Sequence, residues 1–121
     1  MVFPFYLTAA AKSTDPVERM KYVIASSVAF IYPTHHFDKP LNPILGETYE
    51  GELPDGTKVY SEQTFHHPPI SHVLVEGPDE LYRWSSYSHF SAKAGLNSVT
   101  LKVQGGKVCT FKDGTVIKYN N

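Results

Sequence analysis

The sequence predicts an α+β domain: an N-terminal helix, a stiff loop, then an antiparallel β-meander. Three observations carry this. Apolar residues recur at helical spacing only between Val17 and Ile31. After Gly46, short stretches rich in valine, tyrosine, threonine and phenylalanine alternate with turn signals. The links between those stretches are too short for crossovers, so successive strands pair antiparallel. A chain of 121 residues is sized for one small domain, taken as 1–121 with no internal repeat or linker.

The first segment, MVFPFYLTAAA, is apolar and then small. It lacks a basic leading region and holds Pro4 inside the apolar stretch, so it reads as a short segment packing on the domain rather than as a signal peptide. The helix follows. Asp15 is its N-cap, Pro16 its first helical residue and Glu18 the acidic residue three after the cap. Val17, Met20, Ile24, Ser27, Val28 and Ile31 form one stripe, expected to cover a hydrophobic surface elsewhere, and Pro33 ends the helix.

The loop from Asp38 to Glu50, DKPLNPILGETYE, is stiffened by Pro40 and Pro43, and Gly46 is free to take backbone angles closed to other residues. It either holds Lys39 and Asn42 in defined positions or simply leads into the sheet. Strands are expected near 47–53, 57–63, 70–76, 80–90, 97–103, 107–112 and 115–119. They are divided by turns at Pro54-Asp55-Gly56, Gly77-Pro78-Asp79, Gln104-Gly105-Gly106-Lys107 and Asp113-Gly114. In 80–90, Leu81, Arg83, Ser85, Tyr87 and His89 face one way, and Tyr82, Trp84, Ser86, Ser88 and Phe90 the other. Neither set is purely apolar, which suits a sheet lining a cavity or covered on both sides.

Eleven basic and twelve acidic residues give a formal net charge of −1, against a nucleic-acid binder with a broad basic surface. The single cysteine, Cys109, has no intramolecular disulfide partner, so the cytoplasm is the default compartment. The apolar run from Tyr22 to Tyr32 is about half the ~20 residues a transmembrane helix needs.

The chemistry concentrates in EQTFHHPPISH, Glu62 to His72, which holds three of the six histidines. Pro68 favours extended geometry at His67, and both imidazoles reach one ligand only if the chain bends around it. A metal site could draw on His66, His67, His72, Glu62, His35 and His36, but no HExxH or finger-like spacing is present, and no resident metal or cofactor is expected. A hydrolase could pair Glu62 with His66, but no nucleophile elbow is present and Cys109 has no placed partner, so no catalytic residue is assigned and no enzyme expected. An anion site fits the donors better, with Lys39, Asn42, His66 and His67 making a compact phosphate grip. From chemistry alone that reading and a merely polar loop stand level.

Three motifs carry a resemblance. EQTFHHPP, Glu62 to Pro69, is close to E-Q-V-S-H-H-P-P, with Thr64 and Phe65 replacing valine and serine. KPLNPILGETYE, Lys39 to Glu50, and DPVERM, Asp15 to Met20, precede it in matching order. Together they make the chain resemble the lipid-binding domain of the oxysterol-binding protein-related family, from about Ala10 onward. The resemblance implies an incomplete antiparallel β-barrel around an apolar tunnel and no chemistry on the lipid. It implies transfer of a sterol, phosphatidylinositol 4-phosphate or both between membranes, and peripheral membrane association. The headgroup contacts it implies are Lys39, Asn42, His66 and His67, the four that the donor argument selected. It further implies that this chain is the N-terminal part of a longer domain, without lid or C-terminal portion. Such an open sheet is expected to self-associate or to continue in a longer product.

Overall fold

Asp15 caps the predicted helix: its carboxylate Oδ1 accepts from Val17 N–H at 2.9 Å, and Pro16 opens α2 (Pro16–Ile31). The computed structural model describes residues 2–31 and 42–120, so the expected stop at Pro33 lies outside the described residues. The apolar N-terminal segment is itself a helix, α1 (Phe3–Lys12). Its Pro4 sits in the first turn, where no intrahelical N–H is needed, and the alanine run favours helix. Phe3, Leu7 and Ala10 form its buried face.

The helical hairpin lies on one face of an antiparallel sheet. Its strands are β1 (Thr48–Glu52), β2 (Lys58–Phe65), β3 (Ile70–Glu76), β4 (Tyr82–Ala94), β5 (Val99–Gln104), β6 (Gly106–Phe111) and β7 (Val116–Asn120). The order across the sheet is β1-β2-β3-β4-β6-β7, with β5 also paired to β4, and among the described residues the sheet is not closed. No described helix is long and apolar enough to cross a membrane.

The core forms where the even residues of β4 meet the hairpin. Trp84 packs its ring 5.1 Å from Phe3 and 5.6 Å from Phe30, and donates from Nε1 to Tyr119 Oη at 2.9 Å. Tyr82 donates to the Pro4 carbonyl at 3.2 Å. Val59, Val75, Cys109 and Phe111 complete this layer. Burial pushes the Cys109 thiol up to about 12, so this cysteine is a packing residue rather than a nucleophile. The odd residues Arg83, Ser85 and Tyr87 face away from the helices.

Two expectations are corrected. The predicted stripe of α2 does not cover the sheet: Val17 and Val28 are 61% and 65% exposed, and Met20, Ile24 and Ile31 are exposed as well. The face that packs inward is Arg19, Val23, Ser26 and Phe30, two of them polar. Arg19 fixes that rotation. It donates to the carbonyls of Ala10 (3.2 Å) and Ser13 (2.7 Å) and to Thr115 Oγ1 (2.9 Å), pairs with Asp113 at 2.7 Å, and lies 5.0 Å over the Phe111 ring.

The second correction concerns Gln104–Lys107, which is not a reversal. His89 faces Gln104 and Ser86 faces Lys107, the same three-residue step on each strand, so β5 and β6 form one path along β4, broken only at Gly105. Neither Gly105 nor Gly106 has the positive φ that a tight hairpin turn would need. The other turns stand: Gly56 and Gly114 have φ of +84° and +86°, and Asp55 and Asp113 accept from the N–H two residues on.

Candidate functional site

The EQTFHHPP segment spans the end of β2 and the turn into β3. A bulge between Gln63 and Phe65 shifts the register, and Phe65 then pairs with Ile70. Residues 66–69 form the turn, with the His67–Pro68 peptide cis. It is held from three sides. Phe65 pairs with Ile70, Thr64 Oγ1 donates to Ile70 O at 3.3 Å, and Phe90 N–H donates to Pro69 O at 3.1 Å.

His67 is therefore not in an extended segment, as expected from Pro68, but inside a turn that brings the imidazoles together. The His66 and His67 ring centroids are 4.4 Å apart at 64°, edge to face. His67 is exposed and His66 half-buried. His66 Nδ1 is buried and makes no hydrogen bond with any described residue. A buried polar atom left unmatched costs about 1–3 kcal/mol, so a ligand that satisfies it binds with that advantage.

The second motif docks on the first through backbone bonds. Gly46 N–H donates to Gln63 O at 2.8 Å and Gln63 N–H donates to Glu47 O at 3.0 Å. Gly46 takes φ +78° there, with nothing within 4 Å of where a Cβ would stand, so the glycine is required by backbone angle rather than by space. Glu47 Oε2 accepts from Ile44 N–H at 2.9 Å and closes the turn. The loop bearing Asn42 is thereby tied to the residue three before His66. Asn42 is exposed, and no described contact joins it to either histidine. Lys39, His35 and His36 lie outside the described residues.

Gln63 is the last residue of the expected 57–63 strand and has no role among the candidate donors. It is 2% exposed, and its side-chain oxygen accepts from Ser71 Oγ. Its signal was alternation: Val59, Ser61 and Gln63 point inward together, and a polar residue at an inward position needs a partner. Lys107, also buried, sits 5.6 Å from the Phe30 ring and 5.7 Å from the Tyr119 ring, and burial lowers its ammonium from the usual lysine range.

Glu62 and His72 point to the other face. Both line a groove of about 490 Å³, where His72 stacks on Tyr87 with centroids 5.9 Å apart. Glu62 pairs across strands with Thr48 and His72, not with His66. Among the described residues, no three histidine, cysteine, aspartate or glutamate side chains converge as a metal site.

The model of the family described as oxysterol-binding protein matches residues 1–121. Oxysterol-binding protein 9 of Dictyostelium discoideum is 40% identical over 116 residues, which is 96% of this chain and 27% of that protein. Human oxysterol-binding protein-related protein 7 is 52% identical over 73 residues, 58% of this chain and 9% of that protein. Among solved structures, the Osh1 ORD domain in complex with ergosterol superposes with a TM-score of 0.80 at 30% identity, covering 96% of this chain and 28% of that one. The Osh3 ORD in complex with PI(4)P from Saccharomyces cerevisiae gives 0.71 at 29% identity, covering 95% and 31%. The chain thus spans about a quarter of the length of the first curated relative and somewhat more of the solved domains.

Proposed function

The chain belongs to the oxysterol-binding protein family, and from that premise we propose that it is a lipid-binding segment that grips a phosphoinositide headgroup at the His66–His67 turn. One observation carries the reading: His66 Nδ1 is buried without a hydrogen bond among the described residues, beside His67, at the point where the Gly46–Gln63 pairing brings the two motif loops together. His66 and His67 supply imidazole donors, Asn42 an amide, and Lys39, three residues before it in the sequence, an ammonium. The lipid is phosphatidylinositol 4-phosphate or a sterol, the ligand types in the solved relatives. The protein acts as a binder or carrier rather than an enzyme, at the cytoplasmic surface of a membrane.

Flotation with liposomes containing phosphatidylinositol 4-phosphate tests the headgroup site. His66→Ala/His67→Ala is expected to lose binding at least about tenfold, and Lys39→Ala to weaken it as well. Competition by soluble inositol phosphate separates headgroup recognition from insertion of the acyl chains. Unchanged binding by the double variant removes the site assignment.

A second reading is docking without transfer. The open sheet favours it, because nothing among the described residues encloses a sterol or an acyl chain. Phosphoinositide binding with no movement of lipid between donor and acceptor liposomes separates docking from transfer.

A further inference from the structure

We propose that the end of β2 opposite the histidine turn binds one buried water molecule, held by Asp55, Thr57 and Tyr82, and that this water ties α1 to the β1–β2 turn. Two oxygens there are buried and make no hydrogen bond among the described residues: Asp55 Oδ2 and Thr57 Oγ1. Thr57 as a whole is 0% exposed. Both oxygens are already closed to solvent within this chain.

The turn holds the two oxygens in place. Asp55 Oδ1 accepts from Thr57 N–H at 3.1 Å, Gly56 N–H donates to Leu53 O at 2.9 Å, and Leu53 N–H donates to Thr57 O at 2.8 Å. With Oδ1 pinned, the plane of the carboxylate fixes where Oδ2 points, and swinging Oδ2 out to water would break the bond to Thr57. Thr57 is β-branched, so its hydroxyl has little rotamer freedom.

The Tyr82 hydroxyl completes the cluster. A Cβ on Gly77 would collide with the Tyr82 ring, so the phenol packs on bare backbone and has no room to swing. Tyr82 Oη donates to Pro4 O at 3.2 Å, and Thr8 Oγ1 donates to the same carbonyl at 3.3 Å. Burial raises the Tyr82 phenol above the usual tyrosine value; the Thr57 and Thr8 hydroxyls offset part of that rise, and the Asp55 charge adds to it. All three side chains therefore lie around the phenol oxygen. Thr57 Oγ1 is near that oxygen but makes no hydrogen bond to it.

The hydrogen-bonding capacity left over defines the occupant. Asp55 Oδ2 only accepts, Tyr82 Oη has a lone pair remaining, and Thr57 Oγ1 has a proton to give. One water donates to the first two and accepts from the third. Those three bonds are the usual complement of a buried water. A hard cation takes about six or more oxygens, more than this cluster offers. An apolar filling would leave the carboxylate oxygen unmatched, which costs more than immobilising one water. The bridge joins the β1–β2 turn to β4 and, through the Pro4 carbonyl, to α1.

Substitution of Thr57 tests the bridge by the sign of its effect. A bridged hydroxyl makes Thr57→Val lose a hydrogen bond, so its thermal midpoint is expected to fall by about 5 °C while Thr57→Ser stays close to wild type. An orphaned hydroxyl gives the opposite result: the isosteric methyl removes an unmatched polar group, and Thr57→Val melts at or above wild type, which overturns the proposal. A crystal structure of the wild-type 121-residue chain is expected to show one oxygen within about 2.6–3.2 Å of Asp55 Oδ2, Thr57 Oγ1 and Tyr82 Oη. A direct Thr57–Asp55 hydrogen bond with no oxygen between them overturns the proposal. So does an anomalous peak at the site when rubidium replaces sodium in the crystals, which would assign a cation. The crystal reads the unaltered protein, so it decides the matter even where a variant fails to fold.

Discussion

Two motifs of this chain meet opposite physical fates. In DPVERM every polar group named here is engaged inside the protein: Asp15 caps α2, and Arg19 ties α1, the link between the helices and the β6–β7 turn into one unit. In EQTFHHPP the backbone and Gln63 are engaged, but the imidazoles are not: one is exposed, and the other has a buried nitrogen without a described partner. Both stretches carry the resemblance to the family, but among the described residues it is the second that leaves imidazole nitrogens unengaged. A motif can mark a family because the fold needs it or because the ligand does. Counting unengaged donors separates the two cases.

The contrast can be broken by substitution. Arg19→Ala is expected to cost about 2–4 kcal/mol of stability, since the guanidinium is largely buried and its removal leaves several acceptors and Asp113 unmatched. Chemical denaturation reads this, while phosphoinositide binding of the folded fraction stays at wild-type affinity. His66→Ala/His67→Ala should do the reverse, losing at least about tenfold in liposome affinity with a stability change below about 1 kcal/mol. If Arg19→Ala abolishes binding in the folded protein, the division between the motifs fails.

Gly46→Ala sharpens the comparison. It forces a side chain to adopt φ +78° where space is free, at about 1–2 kcal/mol of backbone cost. The loop bearing Asn42 should then sit less firmly on Gln63, weakening liposome binding without touching any of the proposed headgroup residues. The smallest effect is expected from Asp113→Asn. The Thr115 N–H, and after it Arg19, hold the Asp113 carboxyl down at about 2. A depressed carboxylate stabilises the fold fully above its unfolded value of about 4, and that contribution is lost as pH falls towards 2. The stability gap between wild type and Asp113→Asn therefore closes over that window in pH-dependent thermal melts.

The strand pattern was legible because turn chemistry is local: Pro54-Asp55-Gly56 and Asp113-Gly114 carry their own hydrogen bonds and positive-φ glycines. Gly105-Gly106 misled because two glycines permit a turn without requiring one; β4, running from Tyr82 to Ala94, is long enough to hold both β5 and β6 in one register. The existence of α2 was legible and its orientation was not. Periodicity shows that a helix has an apolar face, but the stronger contacts of Arg19 and the Phe30 ring decided which face turned inward. Helix α1 was hidden because ten residues with Pro4 and three aromatics give little periodic signal. For the site, sequence supplied the histidines and the loop, while the bonds joining the loop to Gln63 depend on a bulge that no local pattern announces.

The interruption at Gly105 has one further consequence. Beyond it, Ser91 to Ala94 pair with β5 alone, whereas Tyr82 to Ser86 are backed by β6 and, from Arg83, by β3. A ribbon two strands wide is marginal by itself. Amide exchange should therefore run on two clocks in one continuous strand: amides near Trp84 open only with global unfolding, while those near Lys93 exchange through local opening that leaves the rest of the sheet intact.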